Sequence, residues 1–443
     1  MIKWRLLPLA AALGFALAAP VHAEGLLQLY EAARAYDASW QSAKAQYDAS
    51  LARAEQARAG ILPQAGLSAG VSRSTYDNNL PAPALDHNNF TTQQATINAS
   101  QPLYRPANLA TYRQGKRQAE LAQYQLTAAS QDLMIRVSQA YFDVLAAQDT
   151  LAFVRAQKAA TAEQLASAKR NFEVGTSTIT DTREAQARYD LVQAQEIAAE
   201  NDLRVKKLAL DTLVGRSDAQ PNPLATPLEV PAPQPPSPEA WVAASENASP
   251  AILQARDAVA IAELETEKAR AGHKPTVDLT ASYGVTNSIN GNTATILDNR
   301  PKIGTVGVQF NLPLFAGFAV QNRIRETLAL EDKARSDLEA TRRQVAQAVR
   351  TAYFGVVSGE SQVKALEAAE ASSQSALDAN RLGYQVGVRI NIDVLNAQSQ
   401  LYQTKRDLAQ ARYNVLLGHL KLRQANGTLQ EQDLARLNTL LAK

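Results

Sequence analysis

The segment TVDLTASYGV, residues 276–285, alternates strictly between polar and apolar side chains. Residues 305–312, TVGVQFNL, alternate in the same way, and weaker versions of the pattern occur at residues 65–71 and 95–99. Successive side chains of a strand point to opposite faces, so this period of two predicts strands with one apolar and one polar face. At about ten residues each, such strands have the length that a tilted strand needs to cross a bilayer.

These strands belong to a chain that is duplicated in tandem. The tetrapeptide ARAG occurs at residues 57–60 and again at 269–272, an offset of 212 residues. Further pairs of identical residues keep the same offset: Tyr141 and Tyr353, Gly175 and Gly387, Gly215 and Gly427. Because one offset holds over such a length, each half is predicted to fold into the same arrangement of elements.

A proline-rich linker is expected between the halves, since residues 221–238 contain eight prolines and proline favours an extended chain. Each repeat is predicted to contain a helix, a β-hairpin, a long helix and a shorter helix. The hairpins are expected at residues 63–104 and 275–315. The predicted boundaries are residues 24–215 for the first repeat, 216–238 for the linker, 239–427 for the second repeat and 428–443 for a C-terminal tail.

Two long stretches without proline predict helices of unusual length. One follows Pro106 and continues to Gly175, and the other runs from Phe318 to Gly383. About 65 residues at a rise of ~1.5 Å give a rod on the order of 100 Å. Apolar residues recur along both at spacings of three and four, which is typical of a coiled coil, so the rods are expected to lie along other helices. Shorter helices are expected at residues 26–60, 180–214, 241–271 and 392–425.

The N-terminus predicts export from the cytoplasm. Lys3 and Arg5 precede an apolar stretch at residues 6–19, and Val21-His22-Ala23 has the small residues of a cleavage site, so residues 1–23 are predicted to be a signal peptide. Without these residues the chain has 43 basic and 43 acidic residues, and this balance argues against a nucleic-acid partner. No later segment has 18 consecutive apolar residues, so no transmembrane helix is predicted.

The number of predicted strands determines whether a single chain can close a membrane barrel. Four strands that span a membrane leave two unpaired edges, which hydrocarbon does not tolerate, and the smallest common membrane barrels have about eight strands. If these strands span a membrane, two or three chains must therefore combine to close a barrel. The alternative is a periplasmic structural coiled coil or adhesin without a pore, with the hairpins as caps.

Four stretches carry a resemblance to a known family, and they follow one another along nearly the whole chain. They are AGILPQ at 59–64, AYFDVL at 140–145, GYQVG at 383–387 and GTLQEQDL at 427–434. In their order and spacing they resemble the TolC family of outer-membrane efflux proteins. The resemblance implies a mainly α fold with a small β part. Long antiparallel coiled-coil helices would form an α-barrel, and four transmembrane strands per chain would contribute to the twelve-stranded β-barrel of a homotrimer.

The same resemblance implies a function and partners. The chain is expected to be the outer-membrane exit duct of a tripartite efflux or type I secretion system, with a long periplasmic extension. The expected partners are a periplasmic adaptor protein, an inner-membrane transporter of RND or ABC type, and outer-membrane lipid. The sequence leaves open whether the cargo is drugs, other small molecules or proteins.

Residues with expected roles cluster around the two turns between long and short helices. The resemblance implies a periplasmic gate in which the Tyr384 hydroxyl bonds to Asp181 and Arg389 contacts the region of Thr180. Asp393 matches an acidic pore-lining position. The family has a second aspartate three residues later, where this chain has Asn396. The paired Val-Gly turns are expected to form the tips that dock the adaptor: Val174 with Gly175, and Val386 with Gly387.

No feature of the sequence indicates an enzyme. The four histidines are widely separated, and neither a phosphate-binding loop nor an H-E-x-x-H or G-x-S-x-G motif occurs. Cysteine is absent, which removes thiolate metal ligands and disulfides. We therefore expect no catalytic residues, no metal and no cofactor.

Overall fold

The computed structural model describes residues 25–77, 87–225 and 232–442. The predicted signal peptide lies outside these described residues, as do residues 78–86 and residues 226–231 of the predicted linker. Nine α-helices lie within the described part: α1 (Leu26–Tyr36), α2 (Ala38–Arg58), α3 (Pro106–Glu173), α4 (Ile179–Val214), α5 (Pro238–Ala248), α6 (Pro250–Arg270), α7 (Ala319–Gln385), α8 (Asn391–Asn426) and α9 (Glu431–Asn438). Among the described helices, none combines the length and the apolarity that crossing a membrane requires.

The two rods have the length that the sequence predicts. Helix α3 contains 68 residues and α7 contains 67, so each is on the order of 100 Å long. Their ends at Glu173 and Gln385 lie 212 residues apart, and the same offset separates the ends of α4 and α8. The duplication seen in the sequence is therefore also a duplication of structure.

The helices expected at 26–60 and 241–271 are each divided in two. Asp37 adopts an extended conformation and caps α2, because its Oδ1 accepts a hydrogen bond of 2.7 Å from Trp40 N. Its other oxygen accepts from Arg136 Nη1 at 2.9 Å, which fixes the break against α3. In the second repeat the break falls at Ser249, which is extended and precedes Pro250, the first residue of α6.

One antiparallel sheet contains strands β1 (Gln64–Asp77), β2 (His87–Tyr104), β3 (Thr276–Ile289) and β4 (Lys302–Asn311), in that spatial order. The pairing of β2 with β3 joins the two repeats. Across the first three strands, Ile97 lies between Leu67 and Tyr283. In the pairing of β3 with β4, Val308 lies opposite Leu279. Apolar residues of all four strands therefore share one face, as predicted, and most of them are exposed.

Both outer strands of the sheet keep an open edge. Strand β1 pairs with β2 and β4 pairs with β3, and within the described residues neither has a neighbour on its other side. An open edge presents unpaired backbone N–H and C=O groups, so it is a template for pairing with another chain. The sheet is thus incomplete in a single chain.

The helices pack side by side below the sheet. Helix α3 lies between α4 on one side and α6 and α8 on the other, and α7 packs along both α6 and α8. The largest apolar core lies near the middle of α3, where α1 packs against α3, α4 and α9 and buried residues of α8 join the cluster. Its fully or almost fully buried members include Leu29, Tyr141, Leu420 and Leu434. This core holds the two helical hairpins together far from their tips.

Candidate gate at the helical tips

Each helical hairpin turns at one of the predicted Val-Gly pairs. Gly175 and Gly387 both have φ of +79°, a conformation that glycine adopts without steric cost. The turns are equivalent, since Thr176 N donates to Asn171 O at 2.8 Å and Val388 N donates to Gly383 O at 2.9 Å.

The turns also present apolar side chains. Val174 is 72% exposed and Val386 is 65% exposed, and neighbouring apolar residues of both turns are exposed as well. In both repeats the tip is therefore an apolar projection with no partner among the described residues.

Asp181 is held in place by the start of helix α4. Its Oδ2 accepts hydrogen bonds from Thr178 N and Oγ1 at 3.0 and 2.9 Å, and from Ser177 Oγ at 3.0 Å. Partial burial raises the pKa of this carboxyl, but the hydrogen bonds outweigh it, so the pKa lies below its ordinary value. Asp181 is therefore an anion at neutral pH, and all three bonds engage only one of its oxygens.

Tyr384 faces Asp181 across a cavity of about 700 Å³ between the two hairpins. Its ring packs beside the buried Leu377 and Val394. Within the chain its hydroxyl accepts from Asn171 Nδ2 at 3.1 Å, and it makes no hydrogen bond to Asp181. The structure thus brings the two predicted residues to one cavity but gives each of them other partners.

The remaining predicted gate residues lie at the edge of this cavity. Arg389 lines it, and its side chain is 59% exposed, with Nη1 3.7 Å from Asp393 Oδ2. Thr180 is exposed and does not line the cavity.

Asp393 and Asn396 lie three residues apart on α8, so they share one side of the helix. Asn396 Oδ1 accepts from Arg188 Nη2 at 2.9 Å. At position 396, this chain therefore has a neutral amide bonded to an arginine.

Asn391 is a residue of this site that the sequence analysis did not single out. It is 0% exposed, its Nδ2 donates to the Asp181 carbonyl oxygen at 3.2 Å, and its Oδ1 accepts from Gln164 Nε2. A single buried amide thus ties the start of α8 to both α3 and α4. Its equivalent in the first repeat is Ile179, so a polar residue in place of an apolar one was the signal in the sequence.

Taken together, the paired rods, the sheet with two open edges and the charged cavity at the tips define a subunit of an oligomeric membrane channel. The sequence model of the outer membrane efflux protein family matches this chain twice, at residues 29–216 and 241–428, and the chain belongs to that family. The two matches are 212 residues apart, as the duplication requires.

Individual proteins of known sequence or structure agree with this assignment. The chain is 35% identical to the outer membrane protein TolC of Vibrio cholerae over 436 residues, which cover 98% of both chains. It is 33% identical to the alkaline protease secretion protein AprF of Pseudomonas aeruginosa, covering 93% of this chain and 86% of that one. The crystal structure of the outer membrane protein VceC of Vibrio cholerae superposes with a TM-score of 0.77 at 21% identity, covering 91% of this chain and 96% of VceC.

These matches confirm the predicted resemblance to TolC and the fold class with α-barrel helices and four strands per chain. They also confirm the function as an outer-membrane exit duct for efflux and secretion, and the location in the outer membrane. The family consists of efflux proteins and not of enzymes. The alternative of a periplasmic coiled coil or adhesin without a pore is not supported.

Proposed function

We propose that three copies of this chain form one exit duct, in which β4 of each copy pairs with β1 of the next. The two open edges support this closure, since it removes every unpaired strand edge and gives a twelve-stranded barrel. The shared apolar face of the strands would then contact outer-membrane lipid. The α-helices of the three copies would continue the barrel into the periplasm.

The duct is closed at the helical tips by the gate residues. Tyr384 uses its hydroxyl oxygen as an acceptor toward Asn171, so its hydroxyl hydrogen is available, and Oδ1 of Asp181 accepts no hydrogen bond among the described residues. Both groups line the same cavity, so movement of the hairpins toward each other would bring the donor to the acceptor. Arg389 and Thr180 are exposed, which suits them to a contact with a neighbouring copy.

Opening requires partners on the periplasmic side. The exposed Val174-Gly175 and Val386-Gly387 turns are apolar and protrude, so they suit docking of a periplasmic adaptor. An inner-membrane transporter of RND or ABC type would supply the cargo. A charge-assisted hydrogen bond from Tyr384 to Asp181 would be strong but reversible, so the docked partners can break it and separate the hairpins.

The observation that carries the gate proposal is the single cavity that contains Asp181, Tyr384 and Arg389, and single-channel conductance tests it. Purified protein in planar bilayers is expected to give small current steps. The double variant Tyr384→Phe with Arg389→Ala is expected to give steps several-fold larger, because it lacks the hydroxyl donor and the guanidinium that close the tips. A matched control, Tyr124→Phe with Arg204→Ala, changes the same residue types away from the tips and should leave the steps unchanged.

The possible outcomes test the pore and the gate residues separately. Equal steps in wild type and gate variant would leave the channel intact but refute the gate residues. Absence of channels from both proteins, with correctly folded trimers on native gels, would refute the pore itself.

A further inference from the structure

A second polar groove lies further along the helices, between α4 and α8, with Gln157 of α3 at its floor. Its volume is about 380 Å³, and two arginines line it, Arg188 from α4 and Arg406 from α8. The other polar residues that line it are neutral, and no carboxylate does so. We name this feature the arginine groove. It is a concentration of positive charge that has no role in the gate.

Neither arginine has a carboxylate partner within 4.0 Å among the described residues. Arg188 donates to Asn396 Oδ1 at 2.9 Å, and Arg406 donates to Gln403 Oε1 at 2.7 Å and to Gln157 Oε1 at 3.3 Å. Asp407 follows Arg406 in the chain, but its Oδ1 accepts from Gln403 Nε2 instead. Both guanidinium groups are therefore oriented by amide oxygens, and neither forms an ion pair with a described residue.

Other arginines on α3 and α8 do have carboxylate partners. Arg155 of α3 contacts Glu196 and Glu200, and Arg412 of α8 contacts Glu367 at 2.9 Å. Arg406 is also half-buried, and this burial lowers the pKa of its guanidinium despite the opposing effect of Asp407. A partly desolvated cation with amide partners alone is a favourable site for an anion.

The spacing of the amide groups that orient the two arginines indicates the kind of anion. Their partners Asn396 and Gln403 are seven residues apart on α8, which is about 10 Å along the helix axis. One small inorganic anion does not span this separation, whereas an organic molecule with two or more carboxylates does. The planar guanidinium fork also matches the geometry of a carboxylate.

We propose that the arginine groove binds small organic polycarboxylates, with one carboxylate at Arg188 and another at Arg406. Side-chain amides and a hydroxyl along the groove supply neutral hydrogen bonds: Gln195, Ser399 and Gln400. The groove is preorganised, because each guanidinium is already fixed by an amide oxygen.

The consequence for transport rests on the proposed function and on the sequence-based prediction that Asp393 and Asn396 line the pore. Three grooves would then form a basic ring next to the acidic ring of Asp393. A bound polycarboxylate would narrow the passage and neutralise this ring, so it would reduce the current. The binding itself does not depend on this placement.

Calorimetry with the detergent-solubilised full-length protein and citrate tests the binding. At low ionic strength, where guanidinium and carboxylate charges are least screened, wild type is expected to bind citrate. The single variants Arg188→Gln and Arg406→Gln are each expected to weaken binding about tenfold, since each loses one charge-assisted contact. Arg204→Gln, which removes an exposed arginine of the same helix α4 outside the groove, should bind as wild type does.

Two further comparisons address folding and spacing. The variants Arg188→Lys and Arg406→Lys keep the charge and the packing but lose the planar fork, so they should bind citrate with intermediate affinity. Acetate, with one carboxylate, should bind at least about tenfold more weakly than citrate because it engages one arginine only. No citrate binding by wild type, or equal binding by wild type and the glutamine variants, would overturn the proposal.

Planar-bilayer recordings distinguish this site from the proposed function. If both hold, citrate added on the periplasmic side reduces the wild-type current, and the double glutamine variant resists this block. If citrate binds in calorimetry but leaves the current unchanged, binding at the arginine groove is supported and the placement of the groove in the lumen is refuted.

Discussion

Replacing Arg105 with alanine is expected to destabilise the protein more than removal of any exposed ion pair. Arg105 lies between β2 and α3, and its guanidinium donates two hydrogen bonds, of 2.7 and 2.6 Å, to Asp278 of β3. The Asp278 side chain is only 8% exposed, so loss of Arg105 would leave a buried carboxylate without its partner. Breaking such a pair costs about 3 kcal/mol or more. The contact also joins the helices of the first repeat to a strand of the second.

Thermal unfolding in detergent, followed by circular dichroism, measures this effect. A clearly lower midpoint is expected for Arg105→Ala. The control Arg113→Ala breaks a 3.5 Å contact to Glu267 in which both side chains are about half exposed, and such pairs contribute only about 0–1 kcal/mol. The double variant Arg105→Met with Asp278→Leu should recover most of the loss, since no unpaired charge remains. Equal midpoints for Arg105→Ala and Arg113→Ala would show that the bridge has no special role.

Gly427→Ala is the second substitution with a large expected effect. Gly427 ends α8 with φ of +84°, and an added Cβ would lie 2.3 Å from the carbonyl oxygen of Ala248 and 2.5 Å from Cα of Ser249. These are backbone atoms between α5 and α6 and cannot move aside as a side chain does. The left-handed conformation costs a non-glycine residue about 1–2 kcal/mol, and overpacking adds about 1–3 kcal/mol. We therefore expect a loss of stability of about 2–5 kcal/mol.

A comparison with Gly175 distinguishes the cost of the left-handed conformation from the cost of overpacking. Gly175 has nearly the same φ, +79°, but an added Cβ would meet nothing within 4 Å. Gly175→Ala is therefore expected to lose only the conformational part, about 1–2 kcal/mol. The midpoints of thermal unfolding compare the two variants. A similar shift in both would contradict the close packing of α8 against the junction of α5 and α6.

The strands and the rods are predictable from the sequence because their apolar residues recur at regular spacings. The spacing is two in the strands and three or four in the rods. Residues 276–285 have one apolar and one polar face. A shift of register by one residue would move every apolar side chain to the opposite face of the sheet, so this alternation specifies the register. The breaks at Asp37 and Ser249 were missed, although an N-cap residue and a following proline were present in the sequence. Alanine-rich sequence continues across both breaks. The capping bond of Asp37 outweighs that weak helical preference at the first break, and Pro250 does so at the second.

The candidate site is predictable in position but not in its contacts. The resemblance located Asp181, Tyr384 and Arg389, and the structure places all three around one cavity. The contact of Tyr384 with Asn171 was not predicted, because it joins residues more than 200 positions apart. The arginine groove was missed for the same reason: Arg188 and Arg406 are ordinary helix residues until the fold brings them to one groove.

We propose that this chain forms a duct that closes at its helical tips, where the sequence predicts that Asp393 lines the pore. Because the chain contains no cysteine, Asp393→Cys gives each subunit a single thiol. Single-channel current is recorded before and after addition of a charged methanethiosulfonate reagent, with the cysteine-free wild type as control. Our account predicts that the reagent removes most of the current of the variant, that dithiothreitol restores it, and that wild type does not respond. An unchanged current in a variant whose labelling is confirmed by mass spectrometry would contradict it.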